Sequence, residues 1–447
     1  MTNPHPLPPG PGHWTAWRLG LAFYRDPLRL FVELARDHGD IVHARLGQFH
    51  LLLLSHPDLV EEVLVTHARN FTKEQGPTRQ IVGNGLLVSD GPFHLRQRRL
   101  LQPAFHRERI AVYGQVMADY GRRRRDSWHD GQQVNIHQEM TQLTQMVVAK
   151  TLFDTDIEAE ADALGAALTT AMQTTLVFPQ LPLAGLVKKL RRRSAQRFGD
   201  AMARINSTLY RMIDEHRKAG RDRGDLLSIM LATQDTEGGT GGMTDEQVRD
   251  ELAALYIAGH ETSANGLTWT WYQLARHPRA EAALHAELAQ VLAGRPPTPA
   301  DVPNLVYTEM VVAESLRLYP PIWAFLRQAV HDTEIGGYTV PAGATLFINT
   351  YGIHHDARFF PDPGQFEPER MTREARAARP RFAYFPFSGG PRQCIGESFA
   401  WMEMILVVAT IAQRWRLLLP PGQTVMPNAG LSLRPKGALP MIVEARN

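Results

Sequence analysis

Residues 387–396 read Phe-Ser-Gly-Gly-Pro-Arg-Gln-Cys-Ile-Gly and carry the chain's only cysteine, Cys394, two places after Arg392 and just ahead of an apolar run. A thiol binds a soft metal as the thiolate, and the N–H groups of a helix N-terminus together with a nearby cation lower a thiol pKa in the direction required. Gly389, Gly390 and Gly396 would let a large flat cofactor approach the backbone. A second group, Ala258-Gly259-His260-Glu261-Thr262-Ser263, places glycine inside a helical pattern, where it costs ~1 kcal/mol relative to alanine. An acid and a hydroxyl follow it, and such groups can pass protons in order to a reacting oxygen. Glu314 and Arg317 share one helical face at i and i+3. His94 and Arg98 stand one helical turn apart.

The segment 387–396 resembles the haem-ligand signature of the cytochrome P-450 family, Phe-x-x-Gly-x-Arg-x-Cys-x-Gly, and Phe387, Gly390, Arg392, Cys394 and Gly396 meet every fixed position. The resemblance implies haem b (iron protoporphyrin IX) with Cys394 as axial thiolate, Phe387 beside the sulfur, and peptide N–H groups after Cys394 hydrogen-bonded to it. A thiolate ligand pushes electron density onto iron and favours O–O cleavage. Residues 258–262 are similar to the family's oxygen-activation motif, Ala-Gly-x-(Asp/Glu)-Thr. By that likeness Gly259 opens a groove over the cofactor, Thr262 holds a water at the oxygen site, and Glu261 relays protons inward. Glu314 and Arg317 match Glu-x-x-Arg, and Phe366, Pro368 and Arg370 match Phe-x-Pro-x-Arg, so Glu314, Arg317 and Arg370 are expected to form a structural network fixing the cysteine loop. Arg392, His94, Arg98 and Arg327 are the implied propionate contacts, since buried propionates must be paired. The implied substrate pocket is lined by Ile81, Leu86, Leu87, Ile257, Ala258, Ile322, Ala324, Phe325 and Leu431. These residues are almost all apolar, which favours a fatty-acid, terpenoid or other lipid-like substrate held by shape and burial. Ser388 stands where the family often has glycine.

The elements that must carry these residues follow from pattern. Residues 41–45 and 50–55, separated by Gly47, read as a strand pair. The longest helical pattern runs over 244–277, with Thr244 and Gln247 as a capping box and His277-Pro278 as its stop. At 1.5 Å per residue it would be roughly 50 Å long and, apolar nearly all round, buried. Residues 303–318 read as another helix, 333–340 and 345–349 as strands, and the residues after Cys394 to about 415 as an apolar helix. Residues 431–434 and 439–444 flank a Pro-Lys-Gly turn. The expected fold is mainly α with small β-sheets, a single P-450 catalytic domain over 1–447 with a Pro/Gly-rich segment at 1–14, one large helical part and a minor β-rich one. Strands do not alternate with helices as in a doubly wound fold.

The 447 residues hold Lys+Arg 48 against Asp+Glu 46, a net charge of +2, which gives no ground for a nucleic-acid partner. A single cysteine excludes an intrachain disulfide or a multi-cysteine metal site, and fits a reducing cytoplasm. No stretch approaches the ~20 apolar residues of a spanning helix, so no membrane anchor is expected. The resemblance then points to the soluble bacterial type. With about fifty residues beyond Cys394, electrons are expected from an external ferredoxin or flavodoxin and its NAD(P)H reductase. Arg96, Arg98 and Arg99 lie on the helix where such partners dock in the family, with Arg96 and Arg99 expected to face solvent. The basic runs 122–125 and 188–193 are alternatives. The leading reading is a monooxygenase using O2. A peroxide-driven hydroxylase, or a haem sensor without turnover, remains open, although the Gly259-Glu261-Thr262 set favours proton-coupled oxygen chemistry.

Overall fold

The computed structural model describes every residue except 1–5, 13–15, 74, 75, 77, 155–157, 176–183, 234–240 and 447, and leaves aside the side chains of 16, 17, 158–162, 173, 175 and 184–192. The basic run 188–193 therefore lies outside the described residues for all side chains but Arg193. The chain divides into two compact units, one made of residues 1–74, 117–140 and 262–447, the other of 75–116 and 141–261.

The first unit holds the β-structure. Its five-stranded sheet has the order Ile41–Leu46, Phe49–Leu54, Thr345–Ile348, Phe325–Ala329, Phe71–Thr72. Phe49–Leu54 and Thr345–Ile348 pair parallel; the other neighbours are antiparallel. The expected hairpin is present and turns at Gly47, whose φ of 61° is left-handed. Leu52, Leu54, Leu346 and Ile348 bury one face of the sheet against Val60 and Val63. The proline-rich entry runs alongside, with His43 N–H donating to the Pro9 carbonyl at 2.8 Å and Thr339 N–H to that of Pro6 at 3.0 Å.

Residues 333–340 are a hairpin of Thr333–Ile335 and Tyr338–Val340 instead of the single strand expected. Gly336 and Gly337 have φ of 57° and 79°, and two successive left-handed residues reverse the chain tightly. The strand Phe325–Ala329, carrying Arg327, has no counterpart in the sequence reading, because its pairing with Thr345–Ile348 and Phe71–Thr72 is non-local. A second sheet orders Gln133–Asn135, Pro440–Ala445 and Trp415–Leu418.

Two helices of this unit serve the site. Val306–Leu318 stops ahead of Pro320-Pro321 as expected. Glu397–Ala412 follows Cys394, ends three residues short of the expected limit, and is buried at every position from Glu403 onward. The second unit is helical, without a strand among its described residues. The helix Asp245–Arg276 crosses the boundary in sequence at 261/262. Its capping box forms as expected: Thr244 N–H donates to Gln247 Oε1 at 3.1 Å and Gln247 N–H to Thr244 Oγ1 at 3.2 Å. At Gly266 a Cβ would stand 2.8 Å from Met404 Sδ and 3.2 Å from Leu316 Cδ2, so glycine there permits close helix packing.

Candidate active site

The cysteine loop closes on itself through backbone bonds. Ser388 N–H donates to the Phe385 carbonyl, Gln393 N–H to Gly390 and Cys394 N–H to Phe387, each at 3.0 Å. Cys394 is exposed, three residues before the helix Glu397–Ala412, whose first turn leaves N–H groups without intrahelical acceptors. Beside it the apolar side chains Ile395, Phe399, Ala400, Trp401 and Met402 are only half-buried, and the Phe387 ring lies 5.6 Å from that of Trp401. An exposed thiol amid uncovered apolar surface fits the donor set and the flat apolar face of a haem.

The loop glycines serve the packing of the loop itself. A Cβ at Gly390, with φ 66°, would stand 1.9 Å from the Leu64 carbonyl oxygen, and one at Gly389 would stand 2.5 Å from the Phe382 ring. Both glycines seat the loop closely on its own protein. Ser388 takes φ 62°, the left-handed conformation that glycine adopts without cost.

Glu314, Arg317 and Arg370 form the network expected of them, and Glu314 and Arg317 are fully buried. Arg317 Nη2 and Nε donate to the two Glu314 oxygens at 2.7 and 2.8 Å, and Arg370 Nε stands 3.2 Å from Glu314 Oε1. Burial raises the Glu314 pKa, and the hydrogen bonds and charge of Arg317 oppose the shift. Arg317 Nη1 also donates to the His354 carbonyl at 2.8 Å. His354, missed by the sequence reading, is the link to the cysteine loop. Burial holds its pKa well below the ordinary value, and the neutral ring accepts the Phe385 N–H at Nε2 at 3.1 Å. Tyr384 OH donates to the Ala313 carbonyl at 3.0 Å.

Along Asp245–Arg276, every residue from Val248 to Leu274 is buried except Leu255, Ala258, Gly259, Glu261 and Thr262. Positions 255, 258, 259 and 262 follow i, i+3, i+4, i+7 and form one uncovered stripe. Ala258 belongs to it, whereas Ile257 is buried. The side chain that Gly259 lacks would meet Val148 Cγ2 at 3.1 Å, so close packing is one reason for glycine there. His260 donates from Nδ1 to the Tyr256 carbonyl at 2.7 Å while its own carbonyl accepts Thr144 Oγ1–H at 3.0 Å, and burial lowers the His260 pKa.

Of the segment 81–88, Ile81 and Leu86 are buried, while Leu87 is half-exposed. His94 is buried and Arg98 half-buried on the helix Gly91–Leu101. Arg99 is exposed as expected, but Arg96 is half-buried and donates to the carbonyls of Gly241 and Gly242 at 3.1 and 3.2 Å, so the polar backbone after residue 240 draws it away from solvent. The run 122–125 is engaged: Arg122 with Asp119 at 3.1 Å, Arg124 with Glu139 at 2.9 Å, Arg125 with Asp126 at 2.9 Å, and Arg123 over the Tyr120 ring. In the first unit Ile322, Ala324 and Phe325 are half-exposed around buried Trp323, Leu431 is exposed, and Arg327 is buried with Nη1 donating to the Leu326 carbonyl at 2.8 Å. Arg392 is half-buried.

Two acidic positions escaped the sequence reading. Glu251, fully buried, is pushed up to about 7 by desolvation, with the bonds it accepts from Leu86 N–H and Gln97 opposing the shift. Glu403, fully buried on the cysteine helix, is pushed up to about 8 by the same cause, with the neighbouring Ser263 hydroxyl offsetting part of it. Neither Glu403 oxygen makes a well-aligned hydrogen bond among the described residues. Acids at helical positions give no warning of this, since only packing decides which face is buried.

The Cytochrome P450 family model matches residues 7–440. The chain belongs to the cytochrome P-450 family. It is therefore a haem protein and a monooxygenase by class. This P-450 is 42% identical over 440 residues to cyclooctatin synthase of Streptomyces melanosporofaciens, covering 95% of this chain and 93% of the relative. It is 34% identical to pentalenene oxygenase of Streptomyces avermitilis, covering 94% and 91%. Its fold matches the crystal structure of the cytochrome P450DA heme domain with a TM-score of 0.89 at 27% identity, covering 99% of this chain and 98% of the other. Among the described residues no helix is long and apolar enough to cross a membrane.

Proposed function

We propose that this P-450 hydroxylates or epoxidises a terpenoid hydrocarbon or its alcohol, as one catalytic domain over 1–447, working in the cytoplasm with an external ferredoxin or flavodoxin and its NAD(P)H reductase. The observation that carries the reading is Cys394, the chain's only thiol, exposed among half-buried apolar side chains ahead of an apolar helix. Two relatives, named cyclooctatin synthase and pentalenene oxygenase, support the substrate class. The apolar half-exposed residues Leu87, Ala258, Ile322, Ala324 and Phe325 support it independently, since each buried CH₂ contributes ~0.8 kcal/mol and no charge is needed to hold such a ligand.

Bound haem supplies oxygen activation and insertion of one oxygen atom into a C–H or C=C bond, the second atom leaving as water. Cys394 would hold the iron, with Phe387 and the N–H groups after Cys394 shielding and tempering the sulfur. Arg392, Arg327, His94 and Arg98 would neutralise the propionates. Thr262 lies on the uncovered stripe, where its hydroxyl would hold a water, and Glu261 beside it would bring protons from solvent. The network of Glu314, Arg317 and Arg370, through His354, keeps the start of the cysteine loop in place. Gly259 and Gly396 would keep these segments free of side chains.

The test has two parts. The reduced protein with carbon monoxide is expected to give the red-shifted Soret band of a thiolate-ligated haem, and Cys394→Ala is expected to lose it; a thiolate spectrum in the variant would refute the ligand assignment. Titration of the ferric protein with cyclic sesquiterpene and diterpene hydrocarbons and with fatty acids is expected to shift the Soret band at micromolar concentration for the terpenes. Tighter response to the fatty acids would replace the substrate class.

A further inference from the structure

Glu251 lies one helical turn before Leu255, where the uncovered stripe of the long helix begins, and it is buried completely. Its Oε2 accepts the Leu86 N–H at 2.8 Å and its Oε1 accepts Gln97 Nε2–H at 3.1 Å. Asp250, next in the chain, accepts the Asn84 N–H at 2.7 Å and Arg249 Nη1–H at 2.8 Å, and Arg249 Nε donates to Asn206 Oδ1 at 2.8 Å. The turn 83–86 is shaped for this seat. A Cβ at Gly83, with φ 55°, would stand 2.1 Å from Asp250 Oδ2, and one at Gly85 would stand 2.7 Å from the Asp250 carbonyl and 3.1 Å from Ala254 Cβ. Two backbone N–H groups that no secondary structure satisfies are thus held by the side-chain oxygens of Asp250 and Glu251, the Leu86 donor in a buried site where leaving it unmet is expensive. In the run 85–89, Leu87 alone is half-exposed, and it follows the Leu86 amide that Glu251 holds. Gln97, the other group Glu251 holds, lies between His94 and Arg98.

We propose that Asp250 and Glu251 form a carboxylate latch that sets the position of Leu87 and so determines which ligands this P-450 admits beside its cofactor and where it oxidises them. The proposal rests on the reading above that Leu87 faces the substrate. Both carboxylates are positioning residues: they touch neither substrate nor cofactor and act through the 83–88 backbone. Glu251→Gln leaves one acceptor oxygen in place of two, and because Gln97 Oε1 already accepts from Arg96 Nη1–H at 3.1 Å, one bond of the set Leu86–251–Gln97–Arg96 is lost whichever way the two amides turn. The exchange Glu251→Gln with Gln97→Glu restores the pattern, because the amide now at position 251 can accept from Leu86 N–H and donate to the carboxylate now at position 97.

The experiment uses the haem-loaded protein and reads three quantities: hydrogen exchange at the Leu86 amide, the Soret spectrum with carbon monoxide, and spectral dissociation constants for imidazole and for clotrimazole. In Glu251→Gln, Leu86 exchange should speed up and clotrimazole binding should weaken, each by about tenfold or more, while imidazole binding stays within about twofold and the Soret band is unchanged. The exchanged pair should return both to the wild-type range. Unchanged Leu86 exchange, or faster exchange with an unaltered ratio of the two azole affinities, overturns the proposal and leaves the pair a structural clip. Leu87→Trp separates the supporting reading: it should exclude clotrimazole with the latch intact, and unimpaired clotrimazole binding would show that Leu87 does not face the ligand, which also overturns the proposal. Should Glu251→Gln fail to retain haem, Glu251→Asp, one methylene short of Leu86, replaces it under the same criteria.

Discussion

Glu403 offers a quantitative test of the core beneath the cysteine helix. Its carboxyl is fully buried, and desolvation pushes its pKa from the ordinary 4.5 to about 8. In the unfolded chain the group ionises near the ordinary value. The folded state therefore binds the extra proton, and its contribution to stability is fully present below pH 4.5 and lost as pH rises to 8. At ~1.4 kcal/mol per pH unit that loss is on the order of 5 kcal/mol in full, roughly two-thirds of it reached by about pH 7. Glu403→Gln keeps the shape and removes the ionisation. Urea unfolding of wild type and variant, followed by Soret absorbance and far-ultraviolet circular dichroism from about pH 5 to 9, should give nearly equal stability at the acid end and a variant more stable by several kcal/mol at about pH 8. A difference that stays flat across this range would mean that Glu403 is solvated or ionised in the fold, and the reasoning would fail.

Thr262→Ala should retain haem and ligand binding while reducing equivalents are diverted to peroxide and water, because the hydroxyl lost lies on the open stripe and not at the iron ligand; product per NAD(P)H consumed, unchanged from wild type, would argue against a proton path through Thr262. Ser388→Gly should stabilise the protein by about 1 kcal/mol, since the left-handed φ of 62° costs a non-glycine residue about that much; a lower urea midpoint would show that the serine hydroxyl contributes more than the strain removes. Arg99→Glu should slow reduction by an acidic ferredoxin and flatten its dependence on ionic strength, exposed charges acting mainly on encounter. Arg96→Glu, breaking contacts to Gly241 and Gly242, should instead lower stability, and stopped-flow rates equal to wild type for Arg99→Glu would move the docking surface elsewhere.

The sequence determined what local chemistry alone can fix. The capping box at Thr244 and Gln247 and the His277-Pro278 stop bound the long helix almost to the residue, because their partners lie within four positions. The signature around Cys394 and the Glu314–Arg317 spacing were equally legible, each being a short string with its geometry built in. Tertiary structure decided everything that depends on which face is covered. It separated Leu87 from Ile81 and Leu86, and Ala258 from Ile257, residues of one type whose exposure differs only because neighbours pack on one side of a helix or turn. It turned Gly389 and Gly390 into contacts with Phe382 and Leu64, and drew Arg96 onto a distant carbonyl pair. The same cause made Glu251 and Glu403 invisible beforehand: an acid on a helix reads as solvated until packing removes its water, and only then does its pKa rise and its hydrogen bonding acquire consequence.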